Sequence, residues 1–252
     1  MKKIVALCSL KGGTGKTAST MALAAASAMA GRKTLLIDLD PQANASIGLG
    51  IDPSELQSTI GDVIVDNAPM KDAIVETGLA DLALVGSNIR LAIDCERLYT
   101  RVYREKILSK AIRAISKSYE LIFIDCAPSL NILTVNALFA ADYVLMPCQT
   151  SRYGLDGVGD LLDQIQEIKG TSESVGIVLT QYDARNKRTN EWVQDQLAPV
   201  KKILCKTIIN RSESINQAII VQKNIFDYAP KSRGAQDYKK LSQEIWRTLK
   251  ND

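Results

Sequence analysis

An apolar strand pattern, a glycine-rich loop and a helical pattern follow one another at the start of the chain. Apolar residues 4–8 precede residues 9–17, which read Ser-Leu-Lys-Gly-Gly-Thr-Gly-Lys-Thr, and an alanine-rich helical pattern continues to Gly31. Glycines let successive backbone N–H groups point at an anion, and a helix N-terminus adds the positive end of its dipole. This order predicts a phosphate-binding loop, with Lys16 on the β- and γ-phosphates and the Thr17 hydroxyl on Mg²⁺.

The loop departs from the common phosphate-binding spacing, G-x-x-x-x-G-K-[ST], which places glycine where this chain has Leu10. Taken alone, the additional Lys11 is best explained as a solvated loop charge. Within the string K-G-G-T-G-K-T it resembles the deviant Walker A motif of the ParA/MinD family of P-loop ATPases. In that family the extra lysine reaches the nucleotide of a partner subunit. The resemblance assigns nucleotide binding to Lys11, Gly12, Gly13, Thr14, Gly15, Lys16, Thr17 and Ala18.

The composition excludes several other kinds of chemistry. The 252 residues are 46% hydrophobic and 23% charged, which is typical of one α/β domain, here residues 1–252, with a large core. The chain contains no histidine, and its five cysteines form no C-x-x-C pair. Histidine-dependent triads and most zinc sites are therefore excluded, and a reducing cytoplasm is expected. Any chemistry must use carboxylates, lysines, hydroxyls and a hard metal ion.

Short apolar runs of strand composition alternate with helical patterns along most of the chain. Several runs are apolar on both faces, as in a parallel sheet covered by helices on each side. Right-handed crossovers then predict a doubly wound α/β fold with a mostly parallel sheet, in which ligands bind at the carboxyl ends of the strands. The predicted strands are residues 3–8, 34–38, 82–85, 121–125, 143–147 and 174–180. Residues 51–76 are predicted to form helices and turns over the site, and residues 238–249 an amphipathic helix.

Two aspartates, Asp38 and Asp40, lie at the carboxyl end of the second predicted strand. They point the same way, because side-chain direction repeats every two residues. A polar exit from a strand is the simplest explanation. The string D-x-D-P-Q nevertheless begins 21 residues after Thr17 and resembles the second motif of the ParA/MinD family. By that match Asp40 orients the attacking water, and we assign Asp38 to the metal site.

A further acid, Asp125, ends the hydrophobic run of residues 121–124. This is the pattern of a Walker B strand, whose acid holds Mg²⁺ through water because that ion dehydrates reluctantly. Family members commonly read D-x-P-P-S-L at this place, and this chain departs with Cys126 and Ala127. The resemblance therefore predicts a metal site formed by Thr17, Asp38 and Asp125.

The resemblance continues to about residue 240. Residues 230–235 are similar to the P-x-S-x-G/A-A segment that precedes the last helix of ParA-like partition ATPases. Many family members read I-P-R-N beside the adenine, and residues 209–212 here read Ile-Asn-Arg-Ser. By this match we expect Asn210 and Ser212 to contact the adenine.

The last part of the chain is basic. Residues 181–252 hold 14 Lys/Arg against 8 Asp/Glu, whereas residues 1–180 hold 17 against 20. Such a region can face DNA, although ordinary solvated helix faces explain the charge equally well. Chromosomal partition ATPases often use an arginine for DNA where this chain has Ser214. The DNA-binding candidates are instead Arg185, Lys187, Arg188, Lys201, Lys202, Lys206 and Arg211.

Three functions fit these observations, and the first is favoured. It is a weakly active Mg²⁺-dependent ATP hydrolase of the plasmid or chromosome partition type, a homodimer in its ATP state. The resemblance implies that this dimer binds nonspecific DNA on the nucleoid, that a ParB-type protein stimulates it, and that no membrane is involved. The second is a MinD-like membrane-associated ATPase or one that positions a protein cargo. The third is an iron protein with Cys95 and Cys126 as cluster ligands.

Overall fold

The computed structural model describes residues 2–115, 117–171 and 174–251. The ends of the predicted domain, residues 1 and 252, lie outside them. The strands are β1 (Lys3–Leu7), β2 (Thr34–Leu39), β3 (Ile74–Glu76), β4 (Leu82–Val85), β5 (Leu121–Cys126), β6 (Tyr143–Gln149) and β7 (Val175–Thr180). They form one sheet in the order β3-β4-β2-β5-β1-β6-β7, in which only the β3–β4 pair of the described strands is antiparallel.

Helices lie between consecutive strands except between β3 and β4, which follow each other directly. The α-helices are α1 (Lys16–Met29), α2 (Asn44–Gly48), α3 (Ile60–Val65), α4 (Leu91–Asp94), α5 (Ile107–Ala114), α6 (Ile132–Ala140), α7 (Arg152–Leu155), α8 (Val158–Lys169), α9 (Lys187–Gln196), α10 (Glu213–Ile220), α11 (Ile225–Tyr228) and α12 (Arg233–Asn251). The 3-10 helices are Met70–Ala73, Cys95–Thr100, Arg104–Lys106 and Ala198–Ile203.

The sheet has a hydrophobic core on each face. Along β1, Ile4 and Ala6 join a buried cluster with residues of α3, α5, α6, α8 and α9, whereas Val5 and Leu7 join a second cluster with residues of α1 and α12. This alternation follows from the two-residue period of a strand, and it requires apolar side chains at every position. The doubly wound α/β fold with helices on both faces is confirmed.

All six predicted strands are present, with ends that differ by at most two residues. The prediction that residues 51–76 hold only helices and turns is wrong at its end, because Ile74–Glu76 forms the edge strand β3. It pairs antiparallel with β4, with Ile74 opposite Val85. Three residues are too few to show a strand period, so this strand depends on a partner that the local sequence does not reveal.

The C-terminal amphipathic helix is also present, as α12. Its residues Tyr238, Leu241, Ile245 and Leu249 are each at most 2% exposed, and Tyr238 Oη lies 3.1 Å from Ser19 Oγ of α1. The apolar face of α12 is therefore buried against the rest of the domain. None of the described helices is both long and apolar enough to cross a membrane.

Candidate nucleotide site

The loop between β1 and α1 has the backbone shape that its glycines allow. Gly13 and Gly15 have φ angles of +76° and +83°, in the left-handed region that side chains disfavour. Thr180 Oγ1 and Gln181 Nε2, at the end of β7, donate to the carbonyls of Thr14 (2.7 Å) and Gly13 (2.5 Å). These two hydrogen bonds from the end of β7 hold the loop carbonyls in place. The first N–H groups of α1 have no intrahelical acceptor and are available to an anion.

Lys16 and Thr17 meet Asp125 beneath this loop. Thr17 Oγ1 donates to Asp125 Oδ2 at 2.8 Å, Thr20 Oγ1 donates to Asp125 Oδ1 at 2.8 Å, and Lys16 Nζ lies 4.0 Å from Asp125 Oδ1. Burial raises the pKa of Asp125, and the positive charge of Lys16 opposes that rise. Burial acts to lower the pKa of Lys16, but Asp125 and its neighbours outweigh it and leave the pKa raised. The structure therefore joins residues that lie more than 100 positions apart in the sequence.

Asp38 lies directly beside Asp125, because the two residues are register partners on β2 and β5. Both side chains are fully buried. Asp38 accepts hydrogen bonds from the Ser46 N–H and hydroxyl, each at 2.8 Å, and from the Asp40 N–H at 3.2 Å. Burial, followed by the charge of Asp125, raises the pKa of Asp38 to about 7. A bound cation would relieve this repulsion between carboxylates.

The donor set fits Mg²⁺. Carboxylate and hydroxyl oxygens of Thr17, Asp38 and Asp125 are the hard ligands that this ion prefers, and it usually takes one or two carboxylates together with phosphate oxygens and water. Within residues 2–115, 117–171 and 174–251, no group of three or more His, Cys, Asp or Glu could hold a metal unaided.

Asp40 follows β2 on the rim of the same cluster. It is 5% exposed, and its Oδ1 accepts a hydrogen bond from the Gln42 N–H at 2.9 Å. The chain then turns through Ala43, whose φ of 53° is left-handed, into α2. The turn holds Asp40 at the carboxyl edge of the sheet, next to Asp38.

The two unusual loop positions differ in their surroundings. Leu10 packs against Gly157 at the start of α8, where an added Cβ would lie 3.2 Å from Leu10 Cβ. Lys11 is exposed, whereas Lys16 is 7% exposed. Leu10 is therefore a packing residue. Its contact with Gly157 was not predicted from the sequence, because 147 positions separate the two residues.

A second pocket, of about 230 Å³, opens beyond Gln181 and is lined by Tyr182, Asp183, Ala184, Arg185, Asn210, Arg211 and Arg233. Asn210 Nδ2 donates to Asp237 Oδ2 of α12 at 2.7 Å, which leaves Asn210 Oδ1 as the amide's acceptor. Ser212 is not among the lining residues. It precedes α10, and its Oγ lies 3.2 Å from the position of a Cβ on Gly234. Of the two predicted adenine contacts, the structure therefore brings only Asn210 to the pocket.

The predicted DNA-binding residues occupy two regions. Lys187 and Arg188 begin α9, near the pocket that Arg185 and Arg211 line. Lys201 and Lys202 lie in the 3-10 helix that follows α9, and Lys206 is on the segment that returns along β7. That segment runs parallel to β7, from Leu204 beside Ile177 to Asn210 beside Tyr182. Lys201 and Lys202 therefore lie toward the N-terminal end of β7, away from the pocket. Arg185 forms an ion pair with Asp183 at 2.6 Å.

The cysteines do not form the cluster that an iron protein needs. Cys126 is fully buried, and its Sγ lies 3.3 Å from Cys8 Sγ within the sheet. Cys95 lies in a 3-10 helix, and its Sγ donates to Ala92 O. All five cysteines are free thiols. Because Cys126 faces Cys8 inside the sheet, it cannot hold a cluster shared between subunits.

Comparison with known proteins identifies the family. Residues 2–177 match the family described as AAA domain. The chain is 36% identical to the sporulation initiation inhibitor protein Soj of Bacillus subtilis, over 97% of this chain and 98% of Soj. It is also 36% identical to the chromosome partitioning protein ParA of Caulobacter vibrioides, over 96% of this chain and 93% of that protein. The chain belongs to the ParA/MinD family of P-loop ATPases.

Solved structures share its fold. Cobyrinic acid a,c-diamide synthase of Mycobacterium smegmatis, with bound ADP and magnesium, superposes with a TM-score of 0.85 at 29% identity, over 99% of this chain and 96% of that one. The septum site-determining protein MinD of Pyrococcus horikoshii, complexed with Mg-ADP, superposes with a TM-score of 0.80 at 26% identity, over 97% of this chain and 96% of that one. Both of these solved structures contain ADP and magnesium.

Proposed function

We propose that this protein is a Mg²⁺-dependent ATPase that switches between a monomer and an ATP-bound homodimer to partition a plasmid or chromosome. The observation that carries the proposal is the meeting of Lys16, Thr17, Asp38 and Asp125 beneath a left-handed glycine loop. The 36% identity to Soj and ParA extends over nearly the full length of the chain, and it favours partition over the other functions that this fold serves.

Each residue has a part in binding and hydrolysis. The N–H groups that open α1 and the Lys16 ammonium would bind the phosphates. Thr17, Asp38 and Asp125 would hold Mg²⁺. A bound Mg²⁺ supplies charge neutralisation for the β- and γ-phosphates. Asp40 orients water in line with the γ-phosphate and accepts its proton. Phosphoryl transfer depends mainly on such positioning and electrostatics.

The base occupies the pocket beyond Gln181. Tyr182 supplies a ring, and Asn210 Oδ1 accepts from the adenine amino group, because Asp237 already holds the Asn210 amide nitrogen. Gln181 joins the two halves of the site, since it follows β7 and donates to Gly13. Ser212 does not line the pocket and keeps at most an indirect part, through α10.

Lys11 serves the dimer. It is exposed on the loop, where the buried Lys16 already supplies the ammonium within its own subunit. A second subunit docked at the carboxyl edge of the sheet would place the γ-phosphate of its nucleotide within reach of Lys11. The dimer then forms only when triphosphate is bound and separates after hydrolysis.

The Lys11→Ala variant is expected to bind ATP within about threefold of the unchanged protein and to lose ATP-dependent dimerisation by at least about tenfold. The exposed side chain contributes little to its own site, whereas a charge-assisted contact to phosphate is worth about 1.5–3 kcal/mol. Mant-ATP fluorescence measures binding, and light scattering coupled to gel filtration measures mass. Lys33→Ala, which removes an exposed lysine far from the loop, is the matched control. Unchanged ATP-dependent dimers would refute the intermolecular role.

Nonspecific DNA is proposed as the surface on which the dimer acts, with a ParB-type partner that stimulates hydrolysis. The basic residues beside the pocket are Lys187, Arg188 and Arg211. They would lie near the bound nucleotide, so their contact with DNA can depend on formation of the ATP-bound dimer. The apolar face of α12 is packed against α1 and is not free to enter a membrane, which favours DNA over a MinD-like membrane function.

DNA affinity is expected to require ATP and to fall by about 100-fold between about 50 and 200 mM salt, as four phosphate contacts predict. Fluorescence anisotropy with a labelled random duplex measures it with ATP, with ADP and without nucleotide. Lys187→Glu with Arg188→Glu should abolish ATP-dependent binding. Lys201→Glu with Lys202→Glu imposes the same charge change at the other end of β7 and should have a smaller effect. Binding that is equal in all three nucleotide states would refute the switch.

A further inference from the structure

A large apolar groove lies away from the proposed nucleotide site. It has a volume of about 810 Å³ and runs between α3, the 3-10 helix Met70–Ala73 and α5. Its floor is apolar, with Val63 and Met70 each 2% exposed and Ile107 and Ala111 half-buried. These helices cover the face of the sheet opposite α1 and α12. A cavity of this size accepts several side chains of a ligand.

The walls of the groove carry charge of one sign. Arg101, Lys106, Lys110 and Arg113 line it, and none of its described lining residues is Asp or Glu. The nearby Asp66 is engaged by Arg97 at 2.7 Å. Residues 97–113 contain six Lys/Arg and one acid, Glu105. This basic segment lies within the part of the chain that is acidic overall, so the net charge of residues 1–180 conceals it.

The rim of the groove presents apolar side chains to solvent at a cost in backbone energy. Val102 is 80% exposed and Tyr103 is 70% exposed. Tyr103 has a φ of 55° and Asn67, across the groove, a φ of 59°. A bulky residue in the left-handed region is uncommon, and such strain concentrates where a surface binds something. Lys106 Nζ lies 5.5 Å from the centre of the Tyr103 ring, which joins the aromatic rim to the cationic wall.

We propose that this groove docks an acidic amphipathic helix of a partner protein. Leucine-like side chains at i, i+3, i+4 and i+7 would enter the apolar floor, and Asp or Glu on the flanks of that helix would meet Arg101, Lys106, Lys110 and Arg113. The proposal goes beyond the partition function, because it uses neither the nucleotide edge nor the basic residues of the last quarter of the chain.

The shape and lining of the groove favour a peptide over other anions. Duplex DNA contacts proteins chiefly through its phosphates, which would not fill an apolar floor formed by Val63 and Met70. A bilayer surface attracts cations but cannot enter a concavity between two helices. Val102 and Tyr103 expose apolar surface at the rim, beside the buried floor of Val63 and Met70. An exposed apolar patch rimmed by charged residues suits a protein partner.

Selection from a displayed library of random peptides of about 16 residues tests the proposal. The bait is the full-length protein, and peptides that also bind the variant Lys106→Glu, Lys110→Glu, Arg113→Glu are removed. Peptides rich in Asp and Glu, with apolar residues at helical spacing, are expected to be enriched. The best of them, synthesised with a fluorescent label, should bind at least tenfold more weakly to the triple variant.

Two further variants make the result decisive. Tyr103→Gly relieves the left-handed backbone and removes the ring, so it should fold normally yet weaken peptide binding at least threefold. Lys223→Glu, Lys239→Glu, Lys240→Glu changes the charge by the same amount in exposed residues outside the groove and should leave peptide binding unchanged. Enrichment of basic peptides, or no enrichment over the triple variant, overturns the proposal. The proposal is also overturned if the triple variant keeps its affinity for the peptide but loses affinity for duplex DNA, for phosphatidylglycerol vesicles or for a second copy of the chain.

Discussion

Lys16→Ala is expected to reduce ATP affinity by at least about 100-fold. The Lys16 ammonium is buried at 7% exposure beside Asp125 and lies at the start of α1, where the β- and γ-phosphates would sit. Two charge-assisted hydrogen bonds to phosphate, each worth about 1.5–3 kcal/mol, account for a loss of this size. Removal of the ammonium also leaves Asp38 and Asp125 facing the phosphates without a protein cation, which adds repulsion.

The control for Lys16 must separate lost binding from lost folding. Lys16→Ala removes the cation next to a buried carboxylate, and breaking such a pair can cost up to about 3–5 kcal/mol of stability. Lys16→Arg keeps the charge beside Asp125 but cannot place one compact ammonium between two phosphates. Both variants should fail to bind mant-ATP, while Lys16→Arg should unfold near the temperature of the unchanged protein. Tight ATP binding by either variant would remove Lys16 from its assigned role.

The sequence predicted that Lys16, Thr17, Asp38 and Asp125 would lie close together, because the signals for them are local. Lys16 and Thr17 stand in one loop motif, and Asp38 and Asp125 each end an apolar strand. Parallel strands bring their carboxyl ends to one edge, so the topology alone places these residues together. The register of β2 and β5 then sets Asp38 directly beside Asp125. That register follows from pairing between distant strands and cannot be read from either strand alone.

The features that escaped prediction depend on contacts between distant segments. Leu10 departs from the common loop because Gly157 leaves room for it, and Asn210 is oriented by Asp237. The edge strand Ile74–Glu76 exists only through its pairing with β4. The basic groove was missed for a different reason: its cations lie in a region whose summed charge is negative, and only folding separates them from the acids.

Asp40→Ala is expected to keep ATP binding within about threefold and to slow hydrolysis by about 10²–10⁴-fold, the range that a positioned proton acceptor contributes. If hydrolysis separates the proposed dimer, this variant should accumulate as an ATP-bound dimer. Asp40 lies beside the proposed metal site rather than in the phosphate loop, and its Oδ1 accepts only the Gln42 N–H among the bonds described, at 2.9 Å. Its loss should therefore cost about 1 kcal/mol of stability or less.

Asp40→Asn distinguishes catalysis from support of the turn. Asparagine keeps an oxygen that can accept the Gln42 N–H, so the turn before α2 is preserved, but it carries no negative charge and cannot accept a proton from water. If Asp40 orients and activates water, both variants should hydrolyse ATP equally slowly in single-turnover phosphate release, and both should form dimers on gel filtration with ATP. If Asp40 only holds the turn, Asp40→Asn should recover most of the activity. A variant of either kind that stays monomeric with normal turnover would contradict the assignment.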